Sequence, residues 1–496
     1  MLKRTDPVRK MACVLFLGLF ASYLALAPAT TEGRGYLDEE IKAGMRMLES
    51  FNAWVKGRPV PPLLWSRHGP VPVLFDLPLI KLGKLFVTPD FMVSLEPVLL
   101  TAGLMTIVFL WLRKLCTPAV SLLLTLTGAF GTMLWPYAYI GLETKQSFFI
   151  LLAGYMALAN GRILKWPGLI FFAVVCGLAM TMKSVGFLLG PAILFLVYVQ
   201  FRDDWRLRWA QALSVLLVIG GIWLVSAEGW KIFWATKGGS TTALGQWTLD
   251  NPFQYFTNMI GLFGSPQKGF FVFAPPLLVS LYAIPRAIKA HKDIVVFAGL
   301  LTISTAGFVS LLVVLADELW GPRFLHILVA PLLIVIGAAF PRFEWRRHVA
   351  LVLLGVIGFG ISFLGAFYYY GARGWAATAA GQNTLEWFAG DPVWNEIHYD
   401  ARLFSVWIKG GTDPVYWTPM HHWQWEPPAD APPLKTVNLR DYADPQSFLL
   451  YYWSRPVDDL MLLIFRICLV ALFVGPPLLA WVIIRTATTR SAAPYL

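Results

Sequence analysis

Twelve stretches of about 17–25 mostly apolar residues recur along the chain, a length that crosses the hydrocarbon layer of a bilayer as a helix. They fall at 11–28, 91–112, 119–136, 142–160, 166–182, 185–201, 209–227, 270–288, 294–316, 322–340, 348–370 and 458–484. Inside a bilayer only helices and closed barrels satisfy every backbone polar group, and runs of this length read as helices. The expected fold is an all-α polytopic membrane protein with about 12 transmembrane helices. The runs 166–182 and 185–201 meet at Met182-Lys183-Ser184 and can also be read as one bent hairpin.

Composition agrees. Of 496 residues, 57% are apolar and 14% charged, against ~25% charged in a soluble domain. That excludes a soluble enzyme, a disordered chain and a secreted disulfide scaffold. The four cysteines lie in or beside apolar runs, without disulfide or metal spacing.

The net charge of +11 is explained by where the basic residues fall. Arg113/Lys114, Arg162/Lys165, Arg202/Arg206/Arg208, Arg286/Lys289/Lys292 and Arg342/Arg346/Arg347 occupy alternate short connections. With Lys3, Arg4, Arg9 and Lys10 at one end and Arg485 and Arg490 at the other, they place both termini inside by the positive-inside rule. Long excursions at 29–90, 228–269 and 371–457 then lie outside. The basic surplus reads as topology and contact with membrane lipids, with no nucleic-acid partner. Ala25-Leu26-Ala27 after the first apolar run resembles a signal-peptide end, but Pro28 disfavours cleavage and the segment reads as an anchor. The organisation is a transmembrane catalytic core over 1–370 including the first outer loop 29–90, a Trp/Pro-rich outer loop over 371–457, and a last transmembrane helix with cytoplasmic tail over 458–496. Arg466 is the clearest charge deep within a span.

In the first loop, Ile41, Met45, Leu48, Phe51 and Trp54/Val55 recur at helical steps, with Lys42, Arg46, Glu49 and Lys56 between them. This is an amphipathic surface helix. The apolar run 71–85, interrupted by Pro72, Pro78 and Gly83, reads as a second, broken surface or re-entrant piece.

Chemistry-bearing residues crowd the outer ends of the spans. Asp38-Glu39 can supply a general base to an acceptor hydroxyl or amine, or can simply favour the N-terminus of the surface helix. Glu143 and Lys145 open the fourth span, where an ionisable group is a functional candidate, although Lys145 can snorkel to the surface. Lys183, between two apolar runs, can offset a phosphate charge. Asp317-Glu318-Leu319-Trp320-Gly321-Pro322-Arg323 opens the tenth span. Pro322 suits a first helical turn, and Arg323 offers a planar fork to phosphate oxygens or an ion pair to Asp317 or Glu318. His68, in Trp65-Ser66-Arg67-His68-Gly69-Pro70, is placed to touch a substrate. No nucleotide, zinc-protease or nucleophile-elbow motif occurs. No metal site is read from spacing, although the acidic pair suits a divalent cation.

Taken in order, Asp38-Glu39 with its surface helix, Trp65–Pro72, Trp135–Glu143, Ser265-Pro266-Gln267-Lys268-Gly269 leading into Phe273-Ala274-Pro275-Pro276, and Trp320–Leu325 resemble the GT-C superfamily of integral-membrane glycosyltransferases. The relatives in view are the protein O-mannosyltransferases and the lipid A aminoarabinose transferase, and the likeness covers residues 1 to about 340. The resemblance implies a GT-C-like fold in a bacterial inner membrane. It implies transfer of a sugar from a polyprenyl-phosphate donor to a lipid, glycan or protein acceptor on the periplasmic face, by single-step displacement. Asp38, with Glu39 beside it, then becomes the candidate base and Glu143 the second-loop acid. Lys183 and Arg323 become ligands of the donor phosphate, and His68, Asp317, Glu318 and Trp320 substrate contacts. Unlike many relatives, Asp38 is followed by Glu39-Glu40-Ile41 rather than by aromatic residues. The alternatives are an O-antigen-type ligase or polymerase, which would use the late 371–457 loop, and a twelve-span secondary transporter, whose two halves should look alike and here do not.

Overall fold

A computed structural model describes residues 7–27, 36–61, 66, 68–86, 88–139, 141–183, 185–236, 252–265, 268–311, 322–342, 345–368, 396–408, 416–417, 437–438 and 459–488. The helices in chain order are α1 (Pro7–Ala25), α2 (Tyr36–Val55), α3 (Pro70–Phe86), α4 (Pro89–Leu115), α5 (Pro118–Phe130), α6 (Leu134–Tyr137), α7 (Leu142–Gly154), α8 (Trp166–Thr181), α9 (Gly190–Phe201) and α10 (Trp205–Thr236). After them come α11 (Pro252–Gly264), α12 (Phe270–Phe273), α13 (Leu278–Ala290), α14 (Lys292–Val309), α15 (Val329–Ala339), α16 (Trp345–Phe367), α17 (Glu396–Ile408) and α18 (Asp459–Thr488). The extended structure among the described residues is a two-stranded pair, Tyr416–Trp417 against Val437–Asn438, and one isolated bridge between Ser66 and Gly69.

The fold is the expected all-α polytopic one, and the chain is a multi-pass membrane protein. Among the described residues six helices are long and apolar enough to span: α1, α4, the Trp205–Glu228 part of α10, α14, the His348–Phe367 part of α16 and the Leu463–Thr486 part of α18. Their outward faces carry exposed apolar side chains such as Leu217, Ile303 and Phe473. In water such faces would be a liability, whereas lipid tails accept them.

The other expected spans are shorter or broken, each for a local reason. The 142–160 run is α7 continued by a π-helical turn at Tyr155–Ala159. In 270–288, Pro275 and Pro276 remove two N–H donors, so a 3₁₀ turn at Pro275–Leu277 separates α12 from α13. The 185–201 run opens as a 3₁₀ turn at Gly186–Leu189, and 322–340 opens as one at Arg323–Leu328. Non-α backbone at membrane depth is tolerated where protein covers it.

The loop helix α2 forms as its periodicity requires. Ile41 is buried against Ile80 and Val93, with Met45 and Leu48 alongside, so α3 and α4 take up its apolar face. Gly44 makes this approach close, since a Cβ there would stand 2.3 Å from the Ile80 side chain. The 71–85 piece is a correction: it is not broken, but lies within one 17-residue helix, α3. Pro70 and Pro72 sit in its first turn, where no intrahelical donor is needed, and Pro78 alone interrupts the ladder. At the opposite end of the sequence, α18 packs along α1, which also lies against α4.

Candidate active site

The site is organised by the first turn of α7. Gly141, at φ +104°, takes a backbone conformation open to glycine, turning the chain from α6 into α7. Its carbonyl accepts the N–H groups of Thr144 and Lys145, and the Thr144 hydroxyl bonds the Tyr137 carbonyl. Residues two apart on a helix point in nearly opposite directions. Glu143 and Lys145 therefore enter two different clusters.

On one side Lys145 meets three carboxylates. Its Nζ lies 2.9 Å from Glu40 Oε2, 2.8 Å from Asp76 Oδ2 and 3.1 Å from Glu96 Oε2. All four side chains are buried. They come from α7, α2, α3 and α4, so one ammonium ties both loop helices to two helices of the bundle. Lys145 thus does not snorkel: three acids around its head compensate the desolvation that a surface position would avoid. Three carboxylates against one ammonium also leave excess negative charge. Burial, with Asp76 adding and Lys145 opposing, pushes the Glu40 carboxyl well above the usual carboxylate range. Glu40 Oε1 and Glu96 Oε1 have no hydrogen-bond partner among the described residues.

On the other side Glu143 is buried and accepts a hydrogen bond from Lys183, while Arg323 Nε stands 3.9 Å from the same oxygen. The cations arrive from different segments. Lys183 lies in the turn after α8, where Gly186 N–H returns to the Lys183 carbonyl at 2.9 Å. A Cβ at Gly186 would stand 2.0 Å from the Met180 carbonyl oxygen, so this turn needs glycine. Both cations also face the Phe324 ring, Lys183 Nζ at 4.2 Å and Arg323 Cζ at 4.8 Å from its centroid.

A second rung stands below the first. Ser147, four residues after Glu143 on α7, shares its face. In the 3₁₀ turn Arg323 and His326 are three apart and eclipse. Ser147 Oγ and His326 Nδ1 are 2.8 Å apart, and the imidazole lies 4.8 Å from the Tyr137 ring. His326 Nε2 and Glu143 Oε2 are buried without a hydrogen-bond partner among the described residues.

The structure thus brings Glu143, Lys183 and Arg323 together. Asp38 and Glu39 lie in the first turn of α2, immediately before buried Glu40, and their side chains fall outside the described residues. Asp317, Glu318 and Trp320, and most of 371–457, also lie outside them. His68 is buried in the turn entering α3, where Gly69 approaches Ser226 of α10. The α-helical first turn expected at Pro322 is corrected: Pro322 caps a six-residue 3₁₀ turn instead.

Sequence reasoning missed Glu40, Asp76 and Glu96 as partners of Lys145, and Ser147 with His326. The spacing of Ser147 from Glu143 was a signal for the last pair. Glu96 within the expected 91–112 span and Asp76 within the 71–85 apolar run were local signals of buried acids, but their distance in sequence hid the shared partner. Among the described residues no group of three or more His, Cys, Asp or Glu side chains is arranged to hold a metal ion.

No family model matches the chain, and no curated protein matches it. Among solved structures it is similar to the crystal structure of ArnT from Cupriavidus metallidurans bound to undecaprenyl phosphate, at 14% identity and a TM-score of 0.44 over 95% of this chain and 77% of that one. The apo state of the same protein gives 14% identity and a TM-score of 0.45 over the same shares.

Proposed function

We propose that the chain is a GT-C-type membrane glycosyltransferase, moving a sugar from a polyprenyl-phosphate donor to a lipid, glycan or protein acceptor at the outer face of a bacterial inner membrane. The observation that carries this reading is the convergence of Lys183 and Arg323 on the single carboxylate of Glu143. An ammonium and a guanidinium held side by side are suited to the oxygens of a phosphodiester donor. The cluster sits at the end of the bundle that holds α2 and its acidic turn. By the distribution of basic loops, that end faces outward.

In this reading the acceptor oxygen attacks the anomeric carbon while Asp38 or Glu39 takes its proton. The bond from that carbon to the phosphate oxygen breaks, and its electron pair leaves with the polyprenyl phosphate. Lys183 and Arg323 meet the charge developing on the leaving group, where preorganised cations act most strongly. Glu143 holds both cations in place. Cleavage of a sugar–phosphate bond is itself favourable, so no nucleotide is needed inside.

The test uses purified protein in detergent, a panel of radiolabelled polyprenyl-phosphate sugars and a crude membrane extract as acceptor. Release of label by the wild type and not by Asp38→Asn supports the reading with its base at Asp38. Equal release by both moves the base to Glu39 or Glu143. No release with any donor overturns the reading. Repeating the assay with a chelator decides whether a divalent cation takes part.

A further inference from the structure

The proposed transfer chemistry leaves Arg466 unused, and it is the clearest charge within a span. It lies on α18 seven residues beyond Asp459, about 10 Å along the axis at 1.5 Å per residue. Its side chain is exposed and has no ion pair or hydrogen bond among the described residues. An arginine at this depth is expensive unless something compensates it.

What lies beside it is a groove of about 470 Å³ along the seam between α1 and α18. Leu17, Phe20 and Leu24 form one wall, and Val470 and Val474 form the other below Arg466. Among the described residues the lining is apolar apart from that arginine. From Arg466 to Leu478 the groove follows twelve residues of α18, about 18 Å of helix. On the other side of this floor the two helices come into direct contact. A Cβ on Gly18 would stand 2.9 Å from Leu479, and one on Gly475 would stand 2.6 Å from Ser22 Oγ. The seam therefore has a closed floor and an open side toward the lipid.

We propose that this groove is a binding site for an anionic phospholipid, with one acyl chain lying between α1 and α18 and the phosphate on Arg466. Charge selects the occupant. Among the described residues the lining offers a cation and no acid, so a headgroup with a net negative charge is matched. A zwitterionic headgroup brings an ammonium for which the lining supplies no partner. The length of the apolar floor matches an extended acyl chain, and the guanidinium fork suits phosphate oxygens. On the sidedness read from the basic loops, the arginine end lies in the outer leaflet.

The test measures lipid retained by the full-length protein after delipidation, using native mass spectrometry and chain-matched phosphatidylglycerol and phosphatidylcholine. Phosphatidylglycerol should be preferred by the wild type about fivefold, the factor given by ~1 kcal/mol for one basic residue near anionic lipid. Arg466→Gln should abolish the preference. Val470→Trp, which fills the groove and leaves the charge, should remove bound lipid of both kinds. Equal retention of the two lipids by the wild type overturns the proposal, as does an unchanged preference in Arg466→Gln or unchanged retention in Val470→Trp. Stronger retention of added polyprenyl phosphate than of phosphatidylglycerol, dependent on Arg466, also overturns it and assigns the groove to the carrier lipid. The readout is binding, so it stands or falls separately from glycosyl transfer.

Discussion

Lys145 and Glu40 are 105 residues apart in sequence and joined by a 2.9 Å hydrogen bond with neither side chain exposed to solvent. The bond attaches the first turn of α7 to the first turns of α2, where Asp38 and Glu39 reside. Since Glu143 belongs to the same turn of α7, one short piece of helix gauges the spacing between the acidic turn and the two cations.

Removing the ammonium should therefore be severe. Lys145→Met leaves Glu40, Asp76 and Glu96 buried without their counter-charge, a change expected to cost about 3–5 kcal/mol. Thermal unfolding in detergent should show a large drop in midpoint. A wild-type midpoint would remove the tetrad from the list of structural supports.

The Glu40 carboxyl gives the protein a pH dependence with a definite sign. Its folded value is raised, so the folded state holds a proton that the unfolded chain releases above ~4.3. The stability from this linkage is fully present below that unfolded value and is lost as pH rises through the raised folded value. Glu40→Gln mimics the protonated form and should flatten this part of the midpoint-versus-pH curve. An unchanged curve in the variant would place the dependence elsewhere.

Arg323→Ala and Lys183→Met each remove one cation from Glu143. If these groups meet the leaving phosphate, kcat/KM for the donor should fall about 10²–10³-fold, the usual effect of one lost electrostatic contact to a transition state. Single-turnover release of labelled sugar is the measurement. A loss confined to thermal stability would make the cluster a structural ion pair only.

Asp38→Asn should lower transfer by about 10²–10⁴, the range for a general base, while leaving the unfolding midpoint in place. Glu39→Gln assayed in parallel separates the two acids. If both variants retain full activity, the base is not in this turn.

Ser147→Ala isolates the lower rung. Its hydroxyl is paired with His326 at 2.8 Å inside the bundle, and removing it strands a buried imidazole nitrogen at a cost of about 1–3 kcal/mol. A midpoint within error of the wild type would mean that this contact contributes nothing.

Much of the fold was legible because membrane helices advertise themselves locally. Length and hydropathy located α1, α4, α10, α14, α16 and α18, and the steps of Ile41, Met45 and Leu48 located α2. The breaks were less legible. Pro275-Pro276 carries the reason for its own interruption, whereas nothing in Tyr155–Ala159 marks the π turn, which depends on packing. In the site, Glu143, Lys183 and Arg323 could be chosen one at a time as charges at span ends. That they share one carboxylate is a property of how α7, α8 and the 3₁₀ turn pack. The partners of Lys145 were hidden for the same reason: Glu40 looks like an ordinary solvated acid, and Asp76 and Glu96, although set in apolar runs, do not show which cation they meet until the helices pack.

The winding of Arg323–Leu328 sets the reach of Arg323. A 3₁₀ turn climbs about 2.0 Å per residue and an α-helix about 1.5 Å, so six residues rewound as α would shorten by about 3 Å. The rewinding would also swing Arg323 by roughly 20° per residue about the axis. Its 3.9 Å approach to Glu143 would not survive either change. The meeting of guanidinium and carboxylate is thus held by the winding of the backbone as much as by the two side chains.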